Sequence, residues 1–80
     1  MPKSIRLFIK PWCPWCREAQ VWLAEHKIVY EELDVTSDHN AAREMHDLSK
    51  QTKAPVIVAD DQILADFDVA QLSEFWKQFN

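Results

Sequence analysis

The sequence predicts a small α/β domain: one four-stranded mixed sheet flanked by three helices, in the order β-α-β-α-β-β-α. Three observations lead there. Near the start a hydrophobic run is apolar on both of its faces, as in a strand covered from both sides. Strand-like and helix-like periodicities then alternate with no linker, internal repeat or low-complexity tract between them, so all elements close around one core. Finally, 80 residues leave no room for a second core, and residues 1–80 are expected to form a single domain.

Each element has its own justification. Ile5, Leu7 and Ile9 alternate with Arg6, Phe8 and Lys10, and because Phe8 is apolar too the strand reads as central. From Cys16 the pattern changes to Ala19, Trp22, Leu23 and His26, which is helical spacing. Ile28 to Val35 reads as a second strand, and strand, helix, strand at this length is a right-handed βαβ unit with its strands parallel. Thr36, Ser37 and Asp38 are N-cap candidates for a helix with apolar positions Ala42, Met45 and Leu48. Gln51 to Lys53 is polar linker. Val56 to Ala59 and Gln62 to Ala65 form a hairpin around Asp60-Asp61. Asp68 caps a final helix carrying Leu72, Phe75, Trp76 and Phe79, with Gln71 placed for a capping box. The chain has no glycine, so Asp60, Asp61, Asn40 or Lys27 must supply any positive φ, at about 1 to 2 kcal/mol each.

Composition narrows the function classes. Hydrophobic residues make up 48% of the chain and four are tryptophan, enough for a folded core and unlike a disordered segment. A net charge of −4 with the nine Lys and Arg dispersed argues against a nucleic-acid surface. No apolar run is long enough for a membrane span or a signal peptide, which points to a cytoplasmic protein. Two closely spaced cysteines in a reducing compartment are more often catalytic or metal-binding than a structural crosslink.

Those cysteines stand in Lys10-Pro11-Trp12-Cys13-Pro14-Trp15-Cys16-Arg17, where the first strand gives way to the first helix. There the unpaired backbone N–H groups and the positive end of the helix dipole favour a thiolate at Cys13. Lys10 and Arg17 add positive charge, and no acid precedes Glu18. Pro14 suits the first helical turn, where its missing N–H would have no partner. A stabilised thiolate attacks only slightly faster than an ordinary thiol, because nucleophilicity falls with basicity, but it leaves far more readily. The arrangement therefore suits reversible exchange. An inert buried pair fits two prolines and a helix start poorly. A zinc site lacks a second ligand pair at a matching spacing, since His26, His39 and His46 are scattered. An iron-sulfur cluster shared between two chains through Cys13 stays open.

With this element order, the CPWC after Lys10 and the X-Pro bond opening the third strand, the chain resembles a glutaredoxin of the thioredoxin superfamily over essentially its whole length. The resemblance implies a thioredoxin-like fold and a monomeric thiol-disulfide oxidoreductase in which Cys13 attacks and Cys16 resolves. Pro55 matches the cis-proline that packs against the cysteines. It also implies glutathione as co-substrate and disulfide-containing proteins as partners, in electron transport and redox homeostasis without a metal. Lys10 and Gln51 match positions that hold the glycine carboxylate of glutathione, and Ala54 the residue whose backbone pairs with its cysteine, with Trp15 and Pro55 alongside. Phe67 and Asp68 match the helix start that takes the γ-glutamyl carboxylate. Ala65-Asp66 replaces the usual Gly-Gly, Val69 the second acid, and Lys53 the frequent Thr, so Asp66 sets a negative charge beside an anion site. A redoxin reduced by thioredoxin reductase is the alternative.

Overall fold

Ile5–Ile9 forms β1 in the computed structural model, which describes residues 2–79. There follow α1 (Pro14–Glu25), β2 (Glu31–Asp34), α2 (His39–Ser49), β3 (Val56–Ala59), β4 (Gln62–Ala65) and α3 (Val69–Trp76), with a closing 3-10 turn at Lys77–Phe79. The strands lie in the order β2-β1-β3-β4, with β1 parallel to β2 and the other pairs antiparallel. This is the mixed four-stranded sheet expected.

Alternation along β1 and β3 divides the core in two. Leu7, Ile9, Ile57 and Ala59 face one side and pack with Ala19, Trp22 and Leu23 of α1 and Leu72 and Trp76 of α3. Phe8, Val56 and Val58 face the other and pack with Ala41 and Met45 of α2. A fully buried side chain of this size contributes about 1.5 to 3 kcal/mol, which is why strands covered on both faces dominate so small a core. Arg6, on the α2 side, pairs with Glu44 at 2.7 Å.

The structure decides between the three cap candidates and departs from the sequence reading in four details, one being that Phe79 lies in the closing 3-10 turn and not in α3. The second strand is Glu31–Asp34 rather than Ile28 to Val35. It is an edge strand whose ladder with β1 runs from Arg6↔Glu31 to Ile9↔Asp34, and before Tyr30 the register runs past the start of β1 at Ile5. Of the three cap candidates Asp38 is the N-cap, accepting from the Ala41 N–H at 3.1 Å, while Thr36 bonds the Asp34 carboxylate instead. In α2 the deeply buried alanine is Ala41, with Ala42 and Leu48 only half-buried. Positive φ falls at Lys27 and Asp60 as expected, but also at Lys50 and Asp66, and not at Asn40 or Asp61. Lys50 ends α2, its N–H donating to the His46 carbonyl. The capping box at α3 is present with both bonds, Gln71 N–H to Asp68 Oδ1 at 2.8 Å and Asp68 N–H to Gln71 Oε1 at 2.9 Å.

Candidate active site

Where β1 ends, a turn through Pro11 and Trp12 is closed by the Cys13 N–H donating to the Lys10 carbonyl at 3.1 Å. Cys13 is then the N-cap of α1, with Pro14 in the first turn. A cysteine at this position holds its sulfur over the open N–H groups of the helix start. The Cys16 N–H donates to Cys13 Sγ at 3.3 Å. Cys13 Sγ–H in turn donates to the Ala54 carbonyl at 3.8 Å, and the Ala54–Pro55 bond beside it is cis. The loop before β3 thus closes the far side of the Cys13 sulfur.

The two thiols, both free, differ sharply. Cys13 is half-buried and reachable, whereas Cys16 is 1% exposed and belongs to the core beneath α1. Burial, followed by the hydrogen bond with Cys13, pushes the Cys16 thiol up to about 12, against a smaller lowering by the backbone at Lys10. Cys16 therefore keeps its proton at neutral pH, and Cys13 is the sulfur open to solvent.

A groove of about 410 Å³ surrounds Cys13, with Lys10, Trp12, Trp15, Lys53 and Ala54 in its walls. Trp12 is 73% exposed and Trp15 53%, so both tryptophans of the motif form its rim. Lys10 Nζ donates to the Thr52 carbonyl at 3.2 Å. A second groove of about 190 Å³ adjoins it, lined by Trp15, Asp66, Phe67, Asp68 and Gln71. Asp66 also borders the Cys13 groove; its N–H bonds the Pro55 carbonyl at 2.9 Å. Of the residues singled out from sequence, Lys10, Cys13, Pro14, Trp15 and Ala54 meet in the first groove, and Phe67 and Asp68 meet Trp15 in the second. Gln51 lines neither. Its amide is folded into its own loop, bonding Ser49 Oγ, the Lys53 carbonyl and the Lys53 N–H. Arg17 lies along α1 in a third groove. Trp12, which flanks the thiol in the sequence as Trp15 does, and Lys53, which precedes Ala54, are also in the wall of the first groove. Among the described residues no three His, Cys, Asp or Glu side chains converge as a metal site, and no helix is long and apolar enough to cross a membrane.

A reachable sulfur at a helix start, a buried partner thiol one turn on, and a cis-proline carbonyl loop opposite define a thioredoxin-fold dithiol site. The sequence profile of the glutaredoxin family matches residues 5–64. A glutaredoxin-like 8.6 kDa protein in the rubredoxin operon of Clostridium pasteurianum is 33% identical over 70 residues, covering 88% of this chain and 93% of that one. The chain belongs to the glutaredoxin family, whose members support a redox oxidoreductase role. The global transcriptional regulator Spx of Staphylococcus aureus is 39% identical over 49 residues, 61% of this chain but only 37% of the regulator. Among solved structures, the thioredoxin-like protein BC3987 superposes with a TM-score of 0.82 at 27% identity, over 89% of this chain and 97% of that one. The glutaredoxin of Archaeoglobus fulgidus superposes with a TM-score of 0.79 at 18% identity, over 92% and 85%, which speaks to the fold.

Proposed function

We propose that the chain is a dithiol reductase of protein disulfides and of glutathione mixed disulfides, acting in a reducing compartment. The observation that carries this reading is the asymmetry of the pair: Cys13 Sγ is reachable and accepts the Cys16 N–H, while Cys16 is buried and held protonated. The Cys13 thiolate attacks one sulfur of the substrate disulfide, forming a mixed disulfide and expelling the other sulfur as a thiolate, which takes a proton. Cys16 then loses its proton and attacks Cys13, releasing the second substrate thiol and leaving a Cys13–Cys16 disulfide. Two electrons and two protons pass to the substrate. Oxidising Cys13 removes the hydrogen bond between the two sulfurs that helps hold the proton on Cys16, so the first step prepares the second.

Glutathione as the reductant is supported by Lys10 and Lys53 in the wall of the Cys13 groove, where they suit a carboxylate. The Asp66 carboxylate at the junction of both grooves favours the second reading, reduction by thioredoxin reductase. Feeding the oxidised protein from glutathione with glutathione reductase, or from thioredoxin reductase with NADPH, separates the two donors. Cys13→Ser should abolish reduction of every disulfide. Cys16→Ser should keep activity on glutathione mixed disulfides and lose most of it on protein disulfides, which need an internal resolving thiol; equal loss in both variants would overturn the roles.

A further inference from the structure

A third groove of about 230 Å³ lies between α1 and α3, with Val21, Trp22 and Val69 as its apolar floor and Arg17, Glu18 and Glu25 on its rim. It shares no wall residue with the two grooves already described and is joined to them through the chain. The Cys13 groove and the 190 Å³ groove share Trp15 and Asp66, and Asp68 of the latter is followed by Val69 of the third. Beyond the thiol this track carries four carboxylates, Asp66, Asp68, Glu18 and Glu25, against the single guanidinium of Arg17. Glu18 and Glu25 are exposed and have no hydrogen-bond or ion-pair partner among the described residues. Val21 between them is 48% exposed.

We infer that the α1–α3 groove docks a basic segment of the disulfide-bearing partner, leading away from the disulfide held at Cys13. The inference rests on the oxidoreductase reading and adds the chemistry of the substrate. Charge complementarity selects the occupant: acidic rims around an apolar floor suit cationic side chains flanking an apolar one. Seven residues of helix place Glu18 and Glu25 about 10 Å apart, a distance that an extended chain covers in about three residues. Side chains of an extended chain share a face only at even spacings, so the matching segment has two basic residues four apart with an apolar residue midway on the same face, the length of the basic side chains taking up the difference. A second copy of this chain, at net charge −4, is repelled from the same rim.

Three peptides of equal length test this, each with one cysteine in disulfide linkage to 2-nitro-5-thiobenzoate. They carry Lys, Gln or Glu at the two flanking positions, and the pre-reduced protein is followed through a single turnover. The Lys peptide should react about threefold to tenfold faster than the Gln peptide, as two rim ion pairs allow, and the Glu peptide more slowly. This spread should collapse in 1 M salt, where screening acts within about 3 Å. Glu18→Gln with Glu25→Gln should bring the Lys peptide to the rate of the Gln peptide. Equal rates for all three peptides, a preference for Glu, or a Lys advantage that survives the double substitution would overturn the inference. So would a concentration-dependent dimer in sedimentation that the double substitution abolishes, because the occupant would then be a second copy. Failure to release the chromophore even from the Gln peptide would instead remove the oxidoreductase reading beneath it.

Discussion

In the folded, reduced protein Cys16 should be nearly inert to alkylation while Cys13 is modified freely. Burial, and after it the hydrogen bond with Cys13, shift the Cys16 thiol from 9.0 to about 12. At neutral pH that leaves about a thousandfold less thiolate than in an unfolded cysteine. The more basic sulfur regains about 16- to 32-fold in nucleophilicity, at a Brønsted slope of about 0.4 to 0.5. The net expectation is alkylation about 30- to 60-fold slower than in the denatured chain, before the steric exclusion implied by 1% exposure. Iodoacetamide at pH 7, with mass-spectrometric mapping in buffer and in guanidinium, measures the ratio directly. The same shift has a pH signature of known sign. The folded value lies above the unfolded one, so this contribution to stability is fully present below about pH 9 and is lost as pH rises towards about 12, where the unfolded chain sheds the proton first. Reduced protein should lose denaturant resistance across that window, and Cys16→Ser should remove that component. Equal alkylation of the two cysteines in the folded protein would refute the reasoning.

Three further outcomes are expected. If glutathione seats its γ-glutamyl carboxylate at the α3 start, a charge about 6 Å away at Asp66 weakens it about 3- to 100-fold; Asp66→Asn should then lower the Michaelis constant for glutathione, less so in high salt, and an unchanged constant would exclude a charge effect. Lys50, at φ 60, carries a left-handed strain that Gly avoids, so Lys50→Gly should raise stability by about 0.5 to 1 kcal/mol after the entropy of Gly in the unfolded chain is subtracted. A rise of several degrees in Tm would agree with that, and no rise would contradict it. Leu72→Ala, at a fully buried position, should lose about 2 to 5 kcal/mol, a large part of the total for a chain this size and visible as a shifted urea midpoint.

Much of the fold is legible in the sequence because each signal is periodic or chemically narrow. Leu72 and Trp76 fall one helical turn apart, Asp68 and Gln71 at capping-box spacing, and Phe8 opposite Leu7 betrays a strand covered on both faces. The placement of Cys13 at a helix start is legible for the same reason, since Pro14 after it suits a first helical turn. What escaped has no local signature. The φ of Lys50 follows from where α2 must stop to let the chain reach β3. The Gln51 amide is consumed by Ser49 and Lys53 through loop geometry that composition does not encode. The start of β2 depends on where β1 begins, which belongs to the partner strand. Arg17 reads as support for the thiolate in one dimension, yet lies along α1 in a different groove.

The outer edge of β2 has a consequence for crowded solution. A strand at the border of a sheet exposes a row of unpaired amides and carbonyls to which a like strand can add. Here three of the four residues, Glu31, Glu32 and Asp34, are acidic, and Glu32 is braced by Gln20 Nε2 at 2.7 Å. Two copies meeting along this edge would bring six carboxylates together, with like charges across the new ladder. The border that is open by hydrogen bonding is thus closed by charge, and acid or high salt would unlock it.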